Sequence, residues 1–122
     1  IRDRAGVSLV DALSGSGNVS FVDQDGIAFL PSRSLGSLAS YFADFGNPRM
    51  AAVIETARMR GDVFIDMPPL SESPDCVLLA QLADATIIVV RQGHTTVDEL
   101  QNTASKLIES GCNVLGAVIN RV

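Results

Sequence analysis

The chain has 122 residues, 47% of them hydrophobic, and a formal net charge of −5 at pH 7. This length fits one domain or part of one, and this apolar content is enough for a packed core. The acidic balance, with a sequence pI of about 4.6, argues against nucleic acid as a partner, because nucleic-acid-binding domains present a basic face.

The cysteines and the hydropathy pattern indicate in which kind of compartment the segment lies and whether it enters a membrane. Cys76 and Cys112 lie in apolar stretches and lack metal-ligand spacing, so we interpret them as buried thiols in a reducing compartment. The sequence contains no signal peptide and no apolar run of membrane-spanning length, so no membrane insertion of this segment is expected. Because the chain begins without an initiator methionine, we expect it to be a segment of something longer.

The first half is predicted to form helices and two short strands. Ser8 and Asn47 are suitable helix N-caps, Pro48 suits a first helical position, and glycines are expected to end these helices. The predicted elements are a helix over Gly6–Gly15, strands over Val19–Val22 and Gly26–Leu30, a short helix over Ser34–Phe42 and a helix over residues 48–60.

The stretch DVFIDMPPL, from Asp62 to Leu70, is the centre of the predicted fold. A short apolar run bounded by turn signals indicates a strand buried on both faces, and Pro68 must end it because proline donates no ladder hydrogen bond. Asp66 is therefore predicted at the carboxyl end of a buried parallel strand, the edge where open α/β sheets bind ligands. A carboxylate there suits Mg²⁺, held through water beside a nucleotide phosphate.

The second half alternates helices with apolar strands. After a helix near Asp75–Leu82, strands are predicted over Ala85–Val90 and Val114–Ile119, with a helix between them that opens on a Thr96–Glu99 capping box. This alternation predicts a parallel sheet between helical layers, formed by strands 26–30, 62–66, 85–90 and 114–119. Ile65 and Ile88 are expected to be fully buried in it.

Three stretches carry a family resemblance: NPRMAAVIETARMRGDVFIDMPPL, ADATIIVVRQGHTTVDEL and NVLGAVINRV. Their order and spacing resemble the C-terminal half of MinD/ParA-type P-loop ATPases. More narrowly, they resemble the cytoplasmic ATPase domain of bacterial tyrosine autokinases and exopolysaccharide chain-length regulators. The resemblance implies a single domain over residues 1–122, with a three-layer, P-loop NTPase-like (Rossmann-like) parallel sheet flanked by helices.

The resemblance also implies site residues. Asp66 corresponds to the catalytic Walker B carboxylate that holds Mg²⁺ through water, and Asn120 lies near the nucleotide base. Arg91 is expected at the same sheet edge, where it can face the nucleotide. ATP and Mg²⁺ are then the cofactors of the complete domain. Simpler interpretations stay open: Asp66 as a turn cap, Asn120 as a turn-forming residue after a strand, and Arg91 as a solvated charge.

The chain departs from the family where phosphate is bound. A P-loop needs a glycine-rich turn that ends in Lys and Ser/Thr, so that backbone N–H groups and an ammonium hold phosphate. These 122 residues contain no such turn, their single lysine, Lys106, lies mid-helix, and Met67 stands where the family usually has threonine. The segment therefore resembles an N-terminally incomplete domain, for which we expect no tight ATP binding and no activity alone.

The implied function is part of a cytoplasmic ATPase or tyrosine-autokinase-like domain that regulates exopolysaccharide or capsule biosynthesis and export. The expected partners are other copies of the protein or a membrane polysaccharide-export component, at the cytoplasmic face of the inner membrane through a longer chain. Two alternatives remain: a degenerate, non-catalytic docking or assembly module with the same fold, and an unrelated doubly wound binding module.

Overall fold

The computed structural model describes residues 9–15, 19–30, 46 and 48–121, except for the side chain of Val10. The chain divides into two compact units, Ile1–Asp66 and Met67–Val122. The elements of the described residues are α1 (Leu9–Ser14), β1 (Val22–Gln24), β2 (Ile27–Phe29), α2 (Pro48–Arg58), α3 (Cys76–Leu82), β3 (Thr86–Arg91), α4 (Val97–Glu109) and β4 (Val114–Asn120). The predicted caps Ser8 and Asn47 and the predicted helix at Ser34–Phe42 lie outside the described residues.

The first unit contains a β-hairpin where the sequence predicts a member of the parallel sheet. β1 and β2 pair antiparallel, with Gln24 opposite Ile27. Asp25 and Gly26 between them both have positive φ, 52° and 80°, as in the tight Asp-Gly turn that joins hairpin strands. The prediction of a parallel strand over Gly26–Leu30 was therefore wrong, because Gly26 reverses the chain instead of starting a strand.

Two helices carry the buried residues that the structure describes in the first unit. α1 ends at Ser14, just before Gly15, whose φ of 78° suits a glycine that stops a helix, and α2 begins at Pro48 as predicted. α1 and α2 contact each other, and an Arg49 N–H of the guanidinium donates to the Leu13 carbonyl at 3.3 Å. The buried apolar residues of the two helices are Ala12, Leu13, Met50, Val53 and Ile54.

Arg60 ties the hairpin to the end of α2 within the first unit. Its guanidinium donates to both carboxylate oxygens of Asp23, at 3.0 and 3.3 Å. The same group lies 5.0 Å from the ring centroid of Phe21, within the range of a cation–π interaction. One arginine therefore orients both the strand that begins the hairpin and the residues before it.

The segment Asp62–Asp66 is not a strand, and this is the main correction to the predicted architecture. It has no regular secondary structure, and no described strand pairs with it. Phe64 is 94% exposed and Ile65 is 38% exposed, so the prediction of a fully buried Ile65 was wrong. A strand of this kind becomes buried only when strands pair with it on both sides and helices cover its faces. No strand in the described part of the chain pairs with residues 62–66 on either side.

The second unit contains a small parallel sheet. β3 and β4 pair in parallel, from Thr86 opposite Val114 to Arg91 opposite Asn120, with an irregularity after Thr86. The prediction that these two strands run parallel, with a helix between them along the chain, is confirmed. Among the described residues the sheet has two strands, so the predicted four-stranded arrangement is not what forms.

Helices cover one face of this sheet. Val90 is buried and Ile88 is half-buried, so the expectation of a fully buried Ile88 was too strong. On α4, Leu107 is buried, whereas Val97 and Ile108 are exposed. The core cluster consists of Ala80, Leu107 and Cys112, with Met67, Leu70, Val77, Ile88 and Val114 packed against it.

Helix α3 begins one residue later than predicted. The Asp75 side chain makes no capping hydrogen bond, and the Cys76 N–H instead donates to the Ser73 carbonyl at 3.1 Å. Cys76 and Cys112 are both buried and unpaired with each other in a disulfide, as predicted, and burial raises the pKa of the Cys112 thiol. None of the helices in the described ranges is long and apolar enough to span a membrane.

Candidate functional site

Arg91 and Asn120 meet at the carboxyl edge of the β3–β4 sheet. They are the last residues of their strands and are register partners in the parallel pair. Side chains of register partners point to the same face of a sheet, and both residues are exposed. The structure thus brings together two of the three residues that the sequence singles out.

These two residues lie at the end of the sheet face that the helices leave open. Alternation along the strands places Ile87 and Val89 on this face with Arg91, and Val118 is the register partner of Val89. All three apolar side chains are more than half exposed. An apolar surface that ends in a guanidinium and an amide offers flat contact together with hydrogen-bonding groups, as a nucleotide base requires.

The loop after β3 is closed by its own polar groups. The Arg91 N–H donates to the Thr95 hydroxyl oxygen at 3.1 Å, and the Arg91 carbonyl accepts from the N–H groups of His94 and Thr95 at 3.1 and 3.0 Å. Gly93 allows the turn with a φ of 77°. The Gln92 N–H donates to the Asn120 carbonyl at 2.9 Å, so this loop, which we call the 91–95 clip, is fastened to β4.

The N-terminus of α4 follows directly and carries the predicted capping box. The Glu99 N–H donates to the Thr96 hydroxyl oxygen at 3.2 Å, and the Thr96 N–H donates to the Glu99 carboxylate at 2.8 Å. The hydrogen bond from the Thr96 N–H, and then that from its hydroxyl, lower the pKa of the Glu99 carboxyl. With Asp98 also in the first turn, this helix end carries negative charge and is unsuited to phosphate.

Asp66 is the last residue of the first unit and is exposed. Among the described residues, no group of three or more His, Cys, Asp or Glu side chains could hold a metal ion. A lone carboxylate fits a Mg²⁺ ion that keeps most of its waters, because Mg²⁺ is usually bound through one or two carboxylates and substrate phosphates. Asp66 therefore fits a water-mediated contact and does not form a protein cage.

The second unit also has an open groove of about 360 Å³ at the other end of α4. Because Arg91 and Thr96 flank the beginning of this helix, the groove is separate from the Arg91–Asn120 edge. Its lining residues are Leu70, Pro74, Val77, Lys106, Glu109 and Ser110. The single lysine of the chain thus lies beside this groove and not at the candidate site.

The sequence analysis did not single out Gln92 and Thr95, whose hydrogen bonds close the 91–95 clip. The signal available was a glycine followed two residues later by a hydroxyl side chain, in a loop between a strand and a helix. That pattern permits a turn closed by a side-chain hydrogen bond. Which residue donates to the hydroxyl depends on the three-dimensional turn, and the pattern does not specify it.

Comparison with known proteins finds similarity to tyrosine-protein kinases. No family model matches the chain. The candidate tyrosine-protein kinase EpsB of Ralstonia nicotianae is 35% identical over 75 residues, which is 61% of this chain and 10% of that protein. The tyrosine-protein kinase CpsD of Streptococcus pneumoniae is 32% identical over 71 residues, which is 57% of this chain and 31% of that protein.

A solved structure extends the similarity to the fold. The crystal structure of the VpsO kinase domain superposes with a TM-score of 0.83 and 22% sequence identity, covering 94% of this chain and 58% of that chain. The chain spans about a tenth of the length of EpsB and less than a third of CpsD. It is therefore similar to bacterial tyrosine-protein kinases over a part of their length, with an α/β fold like that of the VpsO kinase domain.

Proposed function

We propose that this segment is part of an ATP-dependent, tyrosine-autokinase-like domain that regulates exopolysaccharide or capsule biosynthesis and export. The observation that carries the proposal is the similarity to tyrosine-protein kinases, 35% over 75 residues in EpsB and 32% over 71 residues in CpsD. The meeting of Arg91 and Asn120 at one sheet edge supports it, because ligands of open α/β sheets bind at that edge.

In this proposal the three site residues have separate tasks. Asp66 holds a Mg²⁺-bound water, Asn120 offers its amide to the nucleotide base, and Arg91 faces the nucleotide beside it. ATP and Mg²⁺ are the cofactors of the complete domain, where the ion supplies charge neutralisation at the phosphates. The capped, acidic start of α4 leaves phosphate binding to other residues of the complete domain.

The cellular setting is part of the same proposal. Residues 1–122 belong to a single domain that works in the cytoplasm, at the inner face of the membrane through a longer chain. Its partners are other copies of the protein or a membrane component of polysaccharide export. Support comes from the resemblance of the DVFIDMPPL and NVLGAVINRV stretches to polysaccharide chain-length regulators.

The second candidate is a non-catalytic docking or assembly module with the same fold. These 122 residues contain no glycine-rich turn that ends in Lys and Ser/Thr, and a turn of this kind upstream in the complete protein would select the first candidate, whereas its absence from the complete protein would select the second. The two candidates differ in what the segment does when a phosphate-binding half is supplied. A catalytic part regains nucleotide binding and turnover, whereas a docking module regains neither.

Calorimetry of the 122-residue segment with ATP·Mg²⁺ is the first test, and we expect no micromolar binding because P-loop amides and lysine are missing. Clear micromolar binding would mean that a phosphate site has been overlooked. The segment is then joined to an upstream P-loop half, which should restore binding and phosphate release.

In the joined protein, Asp66→Asn should lower turnover by about 10–100-fold, as loss of a group acting through a metal-bound water does. Its free energy of unfolding should change by no more than about 0.5 kcal/mol, because Asp66 is exposed. Asp62→Asn is the matched control, since it makes the same change in the same exposed stretch. Equal turnover in the two variants would remove Asp66 from the metal site and favour the docking module.

A further inference from the structure

The 91–95 clip uses both main-chain polar groups of Arg91. The Thr95 hydroxyl oxygen accepts from the Arg91 N–H at 3.1 Å, and the Thr95 N–H donates back to the Arg91 carbonyl at 3.0 Å. Two hydrogen bonds therefore join residues 91 and 95 directly. Threonine suits this place because branching at Cβ restricts χ1, which keeps the hydroxyl aimed at one donor.

The clip is also bound to the neighbouring strand. Beyond the register pair of Arg91 and Asn120, the Gln92 N–H reaches the Asn120 carbonyl at 2.9 Å. The ladder thus continues one residue past the end of β3, and the backbones of Arg91 and Asn120 are held at a fixed separation. Their exposed side chains consequently start from two fixed points on the same sheet face.

We propose that Thr95 is a positioning residue for nucleotide at this edge: its hydroxyl fixes Arg91 so that Arg91 and Asn120 contact one ligand together. The proposal rests on the proposed function, which assigns those two residues to the nucleotide. Thr95 itself does not touch the ligand. Its contribution is to reduce the backbone freedom that Arg91 would otherwise lose on binding, which is the general advantage of a preorganised site.

A merely structural role for Thr95 predicts something different. The clip is on the surface, and water can replace the hydroxyl as acceptor for the Arg91 N–H, so removing it should change the free energy of unfolding little. An effect on ligand binding without an equal effect on stability is therefore the distinguishing property. Thr95→Val removes the acceptor while keeping the shape, and Thr95→Ser restores it.

The test is an NMR titration of the 122-residue protein with adenosine 5′-monophosphate at millimolar concentration, following the side-chain signals of Asn120 and Arg91. Ribose 5-phosphate is the probe without a base. Thr56→Val is the matched control, because it removes a hydroxyl that bonds a main-chain group, the Ala52 carbonyl at 2.9 Å, in the other unit. Thermal unfolding of every variant is measured alongside.

We expect the monophosphate, and not ribose 5-phosphate, to shift both side-chain signals in the unaltered protein and in Thr56→Val. Thr95→Val should weaken this binding by about fivefold, the equivalent of one surface hydrogen bond, with the melting temperature nearly unchanged, and Thr95→Ser should recover it. Binding by Thr95→Val equal to that of the unaltered protein would overturn the positioning role alone. No shift in the unaltered protein would overturn the nucleotide assignment of Arg91 and Asn120, and the role of Thr95 with it.

Discussion

Truncating Leu107 should reveal how much of the second unit depends on its small core. Leu107 is 3% exposed and forms a cluster with Ala80 and Cys112. Leu107→Ala removes three buried carbon atoms, and at about 0.8 kcal/mol for each their loss lowers the free energy of unfolding by about 2.4 kcal/mol. The remaining cavity adds to this cost, and collapse of the half-buried Met67 and Leu70 around it limits the addition, so we expect about 3 kcal/mol in total.

Its neighbour Ile108 provides an internal comparison, because it lies on the same helix but is 61% exposed. Ile108→Ala also removes three carbon atoms, but about two fifths of their transfer free energy, or about 1 kcal/mol, is at stake. The higher helix propensity of alanine offsets about 0.4 kcal/mol of this loss in the free energy of unfolding. Urea denaturation followed by far-UV circular dichroism gives both free energies of unfolding. If the free energies of unfolding of the two variants agree within about 0.5 kcal/mol, the assignment of Leu107 to the core is wrong.

Two further predictions concern local structure. Gly26→Ala should destabilise the hairpin by about 1–2 kcal/mol: a Cβ there would meet no neighbouring atom, but the φ of +80° is unfavourable for an L side chain. Amide exchange in β1 and β2 should therefore speed up, and exchange equal to that of the unaltered protein would contradict the turn. For α4, the pKa of Glu99 is lowered in the folded protein. The ionised carboxylate therefore stabilises the fold fully above the ordinary carboxyl pKa of 4.5, and this stabilisation is lost as pH falls through the lower pKa of the folded state. Glu99→Gln should remove this part of the pH dependence of thermal unfolding. If the melting temperature of the variant falls at acidic pH as much as that of the unaltered protein, the capping box is not the source of the pH dependence.

The second unit could be predicted well because its signals are local. A β-branched run, a capping box at Thr96 and a glycine at position 111 specify β3, the start of α4 and its end. The φ of 82° at Gly111 confirms the glycine stop, and two hydrogen bonds from main-chain N–H groups to the Thr96 and Glu99 side chains confirm the capping box. Because the connection from β3 to β4 runs through a helix, parallel pairing follows, and with it the meeting of Arg91 and Asn120.

The first unit was predicted less well because the deciding interactions were missed or are not local. Asp25-Gly26 is a strong hairpin signal, but Gly26 was placed inside a strand. The apolar run before Asp66 has the composition of a buried strand, yet burial depends on neighbours that the run itself cannot specify. The roles assigned to Asp66, Arg91 and Asn120 stay predictions, since residue positions at a sheet edge do not by themselves identify a ligand.

Strand β4 has a consequence for how the isolated segment behaves in solution. Its seven residues carry no charge, and six of them are exposed. Uncharged, exposed edge strands recruit further strands from other molecules, and natural proteins normally interrupt them with lysine or proline. We therefore expect the segment to seed fibrils at high concentration, so that dilution, more than cooling, preserves the monomer during storage.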